Sequence, residues 1–98
     1  MCGATTGGLS VEGIDVTKEA VVQGVVVHDG GPVGGAYVRL LDSGGEFTAE
    51  VPTSASGHFR FFAAPGSWTL RVLAPGAASV DRAVVAQQGV VAEVEIAV

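Results

Sequence analysis

Asparagine is missing from this sequence, lysine occurs once, at Lys18, and cysteine once, at Cys2. A single cysteine cannot close an internal disulfide, which fits a reducing compartment and leads to the expectation of a cytoplasmic protein. Basic residues are few: Lys and Arg number 5 against 10 Asp and Glu, for a net charge of −5. Phosphate backbones are held by clustered Lys and Arg, so nucleic acid is not expected as a partner. No apolar run approaches the roughly 18 residues that a membrane helix needs, and no basic amphipathic stretch suits a membrane surface. The opening "MCGATTGGLSVEGIDVTKE" has neither the charged start nor the hydrophobic run of a signal peptide. Only Met1 precedes Cys2, which argues against a lipoprotein cysteine.

What is present is apolar and turn-rich. Hydrophobic residues make up 48% of the chain and charged ones 15%, with 15 Gly and 4 Pro. That is the composition of a globular chain, and 98 residues suit one domain with one modest core. Residues 1–15 are rich in Gly and Thr and are expected to form a flexible N-terminal arm, with the domain spanning 16–98.

From Ala20 onward the pattern is strand, turn, strand. "AVVQGVVVH" is a β-branched run that stops at "DGGPVGG", a cluster of turn signals. "AYVRLLD" alternates, with Ala36, Val38 and Leu40 predicted inward and Tyr37 and Arg39 outward. "EFTAEV" places Phe47, Ala49 and Val51 inward, and Pro52 ends it or marks an edge. In "HFRFF" Phe59 and Phe61 alternate with His58 and Arg60. "SWTLRVL" directs Trp68, Leu70 and Val72 inward, and "GHFRFFAAPGSWTLRV" reads as two strands hinged hairpin-like on Pro-Gly. A weaker strand covers about Arg82–Ala86, and "VVAEVEIAV" sets Ala92, Val94, Ile96 and Val98 against Glu93 and Glu95. Only "DVTKEAVV" has any helical character, and its Val-rich continuation favours a strand. Period-2 alternation in many short segments predicts an all-β fold of about seven strands in two packed sheets.

The segments "GVVVHDGGPVGGAYVRL", "TSASGHFRF" and "APGSWTLRVLAPG" resemble the carboxypeptidase regulatory-like domains. That resemblance implies a transthyretin-like (prealbumin-like) Greek-key β-sandwich and an accessory, non-catalytic role. Over nearly the whole chain, "MCG", "GGAYVRLLDSGGEFTAEVPTSASGHFRFFAAPGSWTLRV" and the acidic C-terminal strand look like the small actinobacterial proteins called SseC, a family of unknown function. Its members tend to be encoded beside thiosulfate sulfurtransferases, so this resemblance implies a sulfurtransferase as a protein partner. Some related surface-adhesin sandwiches carry Lys–Asn isopeptide cross-links, which a chain without Asn cannot make.

The candidate chemistry is sparse. If Met1 is removed, Cys2 carries a free α-amine of pKa about 7.7–8.0 beside its thiol, and a mobile thiolate there is a candidate sulfur acceptor. The plainer reading is an incidental thiol. His28 and His58 have no second ligand at metal spacing, so neither a metal nor another cofactor is expected. Turn-borne Ser and Thr residues have no nucleophile elbow, and "GGPVGG" lacks the Lys and the helix of a phosphate loop. Transthyretin-like purine-pathway hydrolases end in Tyr-Arg-Gly-Ser; this chain ends "EVEIAV". Tyr37, Arg39, His58 and Arg60 form a candidate docking patch for an acidic partner. The expected function is a non-catalytic interaction module. A sulfur carrier on Cys2 and a small-ligand or carbohydrate binder are the alternatives, and either weak homodimerisation or partner docking is expected at the C-terminal strand, Val90–Val98.

Overall fold

A computed structural model describes residues 20–98 of the chain. The expected arm at 1–15, and Cys2 within it, lie outside the described residues.

A run of β-branched valines makes β1, Val21–His28, the centre of the first sheet. At its end Asp29 and Gly30 have φ of 50° and 78°, the paired positive values of a type I′ turn, and Asp-Gly is a preferred sequence for it. That turn returns the chain through β2, Gly31–Pro32, with His28 opposite Gly31. The remaining strands are β3 (Tyr37–Leu41), β4 (Phe47–Pro52), β5 (His58–Phe62), β6 (Gly66–Leu73), β7 (Val80–Ala86) and β8 (Val91–Ala97).

In the first sheet β1 is flanked by β5, antiparallel, and by β8, parallel. The second sheet runs β4-β3-β6-β7, antiparallel throughout. Inward residues of both sheets, among them Val22, Val26, Val38, Leu40, Phe59, Phe61, Leu70, Val72 and Ile96, make one core cluster. The rings of Phe59 and Phe61 meet at 6.2 Å with a tilt of 58°, a favourable edge-on geometry. The chain is thus an all-β, transthyretin-like Greek-key sandwich of two sheets.

The structure corrects several side-chain and pairing expectations. "FRFFAAPGSWTLRV" is not a hairpin: β5 joins the first sheet and β6 the second, so the Pro-Gly connection crosses between layers. Phe59 and Leu70 therefore pack across the core instead of side by side. Trp68 stays on the inward side but only partly buried, because it sits near the start of β6 and its Nε1–H donates to the Ala64 carbonyl at 2.8 Å. Phe47 is 60% exposed. Ala49 is paired with Leu40 and Phe47 with Leu41, so the register skips Thr48; this bulge turns Phe47 to the outer face. There its ring lies 5.8 Å from the Arg39 guanidinium. Arg60, expected in solvent, is 1% exposed, because its side chain lies across the sheet onto β1.

Candidate functional site

The polar side chains of the first sheet gather on its outer face. Alternation turns Val22 and Val26 into the core, and therefore turns Val21, Gln23 and Val25 outward. The register then lines up two rows across three strands, Arg60–Gln23–Glu93 and His58–Val25–Glu95. In the first row the Arg60 Nε–H donates to Gln23 Oε1 at 2.9 Å, and Gln23 Nε2–H donates to Glu93 Oε1 at 2.8 Å. Gln23 relays between a cation on one flanking strand and a carboxylate on the other. Gln23 is 4% exposed and Arg60 1%, while Arg60 Nη2 has no hydrogen-bond partner among the described residues.

Beside this row lies an open groove of about 510 Å³, lined by Gln23, Gly24, Val25, His58, Glu93, Val94 and Glu95. Gly24 forms its floor for a steric reason. A Cβ built there would lie 2.1 Å from the Val94 carbonyl and 3.0 Å from the Phe59 ring, so only glycine lets β8 approach β1 this closely. At the groove's end His58 Nδ1 shares a hydrogen bond of 2.8 Å with Ser56 Oγ, and the His58 backbone N–H donates to Ser54 Oγ at 3.2 Å. These hydroxyls order the turn into β5. Thr53 ties the same turn inward, its Oγ1–H donating to the Val33 carbonyl at 2.7 Å.

The other wall of the groove is β8, which among the described residues pairs with β1 alone. The Val90 carbonyl accepts from the Val21 N–H, and the Val98 N–H donates to the Val27 carbonyl. Even-numbered residues of this strand therefore turn their backbone groups to β1. Those of Val91, Glu93, Glu95 and Ala97 point away from the sheet, since backbone direction alternates along a strand. On that free side Arg82 of β7 donates from Nη1 to the Glu95 carbonyl at 3.1 Å.

The four residues of the expected docking patch do not share a surface. His58 and Arg60 belong to the outer face of the first sheet. Tyr37 and Arg39 lie on the outer face of the second sheet, and Tyr37 is 49% exposed. There Arg39 Nε–H donates to Glu50 Oε2 at 2.6 Å, and Arg71 makes two bonds to Asp81, at 2.8 and 3.0 Å. Hydrogen bonding from Arg71 holds the Asp81 carboxyl below the ordinary aspartate value, and the same bond raises Arg71. These are surface pairs between cross-strand neighbours. His28 closes the far end of β1, its Nδ1 hydrogen-bonded to the Val98 carbonyl oxygen and its Nε2 3.3 Å from Asp29.

Sequence reasoning missed Gln23; it set Glu93 and Glu95 on the side of the last strand opposite Ala92, Val94 and Ile96, and both are exposed. The signal for Gln23 was present: before the terminal His28 it is the one polar residue in a strand otherwise built of Val and Gly. Among the described residues no group of three or more His, Cys, Asp or Glu is placed to hold a metal ion, and no helix is long and apolar enough to cross a membrane.

The chain belongs to the family described as "Protein of unknown function (DUF1416)", whose model matches residues 2–98. It is 61% identical over 75 residues to uncharacterized proteins of Mycobacterium tuberculosis, covering 74% of this chain and 75% of the relative. An uncharacterized protein of Mycolicibacterium smegmatis is 63% identical over 62 residues, covering 62% of this chain and 69% of the relative. Among solved structures, the major pilin subunit of Bacillus cereus matches with a TM-score of 0.71 at 18% identity, over 82% of this chain and 28% of the pilin. The dioxygenase domain of a carbohydrate-binding fusion protein from Streptomyces matches with a TM-score of 0.65 at 13% identity, over 86% of this chain and 82% of that one. A DUF3823 family protein from Parabacteroides merdae matches with a TM-score of 0.58 at 18% identity, over 83% of this chain and 46% of that one. At these identities the likeness is one of fold, and a fold shared by a pilin and a dioxygenase carries no activity with it.

Proposed function

We propose that this domain is a non-catalytic protein-binding module whose working surface is the outer face and free edge of the first sheet. The observation that carries the reading is β8. It is held by β1 on one side and turns a row of backbone donors and acceptors outward, beside a groove lined by Gln23, Val25, His58, Glu93 and Glu95. Exposed sheet edges are a general means of capturing an extended segment of a partner.

A thiosulfate sulfurtransferase is the partner class implied by the resemblance to SseC-like proteins, and a reducing, cytoplasmic setting agrees with the single cysteine. The test is a titration of purified sulfurtransferase, and of any protein co-purified from an actinobacterial host, against the domain and two variants, Val25→Glu and Glu95→Lys. Binding that is lost in both variants supports the reading. Binding undiminished by both overturns it, because the contact surface then lies elsewhere. Cys2→Ser, run alongside, distinguishes docking from sulfur transfer: docking survives the change, whereas a thiol-dependent transfer does not.

A further inference from the structure

We propose that the occupant of the β8 edge is an extended segment with basic residues at alternate positions, which adds as a fourth long strand to the first sheet and displaces the Arg82 contact. The proposal rests on the reading of the first sheet as a binding surface and names the chemistry that surface selects. Of the four β8 residues that stand on the outer face with their backbone groups toward the free edge, Val91, Glu93, Glu95 and Ala97, the two charged ones are Glu93 and Glu95. A strand added there places its residues i and i+2 directly opposite them. Opposite charges across a strand pair are favourable and like charges are not, so lysine or arginine at i and i+2 fits and glutamate does not. The net charge of −5 over 98 residues also draws a basic segment toward this domain.

A second copy of this chain is the competing occupant, and the same residues disfavour it. Two β8 strands paired antiparallel over their full length are related by an axis through Val94, which sets Glu93 of each copy against Glu95 of the other. Arg82 completes the arrangement. Its guanidinium occupies the Glu95 carbonyl at 3.1 Å, in the position an incoming backbone N–H takes. It caps the edge while the edge is empty and must leave when a strand arrives.

The experiment uses a short synthetic peptide of β-forming sequence with lysine at two alternating central positions, and a counterpart with glutamate at those positions. Affinities come from fluorescence anisotropy, and the site from amide hydrogen exchange. The lysine peptide is expected to bind about tenfold or more tightly than its glutamate counterpart. It should also slow exchange at the Glu93 and Glu95 amides. Glu93→Lys together with Glu95→Lys should reverse the preference, and Arg82→Ala should tighten binding of the lysine peptide. Equal affinities for the two peptides, or protection confined to another strand, overturns the proposal. If a purified protein partner still loses binding in Val25→Glu while neither peptide protects β8, the binding surface stands and the basic strand is wrong.

Discussion

At the scale of single residues, the most consequential arrangement is the row in which buried Arg60 and Gln23 run out to the exposed Glu93. A guanidinium at 1% exposure has lost most of its hydration, and the hydrogen bond to Gln23 Oε1 at 2.9 Å is what replaces part of it. Hydrogen bonds to charged groups contribute about 1.5–3 kcal/mol, and an orphaned buried partner costs more than the bond itself returns. Gln23→Leu should therefore destabilise the domain by about 2–3 kcal/mol. Adding Arg60→Met should recover part of that loss, since the double variant buries no unpaired charge. Urea unfolding of the wild type, both single variants and the double variant reads the cycle; strict additivity would show that the two side chains act independently. Gly24 supports a second expectation. Its missing Cβ is what admits the Val94 carbonyl and the Phe59 ring, so Gly24→Ala must push β8 from β1. The cost should be about 1–3 kcal/mol, as for other overpacked sites, and hydrogen exchange should show β8 amides opening before those of β6.

At the scale of elements, a strand's worth depends on where along it a residue sits. Phe59 pairs with Gly24 at the middle of β1 and lies in the core at 0% exposure, whereas Trp68 stands near the start of β6 with its indole N–H bonded to Ala64. Phe59→Ala should thus cost about 3–5 kcal/mol, the range for a fully packed aromatic. Trp68→Ala should cost clearly less despite removing the larger side chain. Thermal unfolding of the two variants decides the order, and a larger loss at Trp68 would mean that the core extends to that end of the sandwich.

The same distinction governs how much of the structure could be read beforehand. Period-2 alternation assigned faces correctly wherever a strand is regular: Val38 and Leu40, Phe59 and Phe61, Leu70 and Val72 all point inward. It failed at Phe47, where the skipped Thr48 reverses the face of one residue, because a bulge has no periodic signature. It failed also for partners. Alternation says which side of a strand is wet, but the hydrogen-bonding neighbour of β8 is set by closure of the whole sandwich, so the parallel β1–β8 pair was not legible. The burial of Arg60 against Gln23 was missed for a third reason. A long charged side chain on the outward face can lie flat along the sheet, and the strand pattern does not distinguish that from standing in solvent.

At the scale of the whole molecule, the sandwich measures 37 × 31 × 20 Å and carries a net charge of −5. Its open edges must avoid pairing with copies of itself. β4 ends in Pro52, which has no N–H to offer. β8 has no proline and relies on charge: in the full-length antiparallel register both cross-copy pairs at its centre are Glu93 against Glu95, and Arg82 occupies the Glu95 carbonyl. Edge charges and capping contacts of this kind are how natural sheets stay monomeric. Replacing Glu93 and Glu95 by Gln removes the repulsion while keeping a side-chain amide that can hydrogen-bond, and adding Arg82→Ala uncaps the edge. The wild type should remain monomeric in sedimentation velocity across the accessible concentration range. Glu93→Gln/Glu95→Gln should show concentration-dependent dimers, and the triple variant should dimerise at lower concentration still. In the dimers, protection from hydrogen exchange should rise at Glu93, Glu95 and Ala97 of the edge and stay constant in β3. A triple variant that remains monomeric would mean that charge is not what keeps this edge apart. The selectivity argued for basic segments would then lose its physical basis, because repulsion of acidic chains and attraction of basic ones rest on the same two carboxylates.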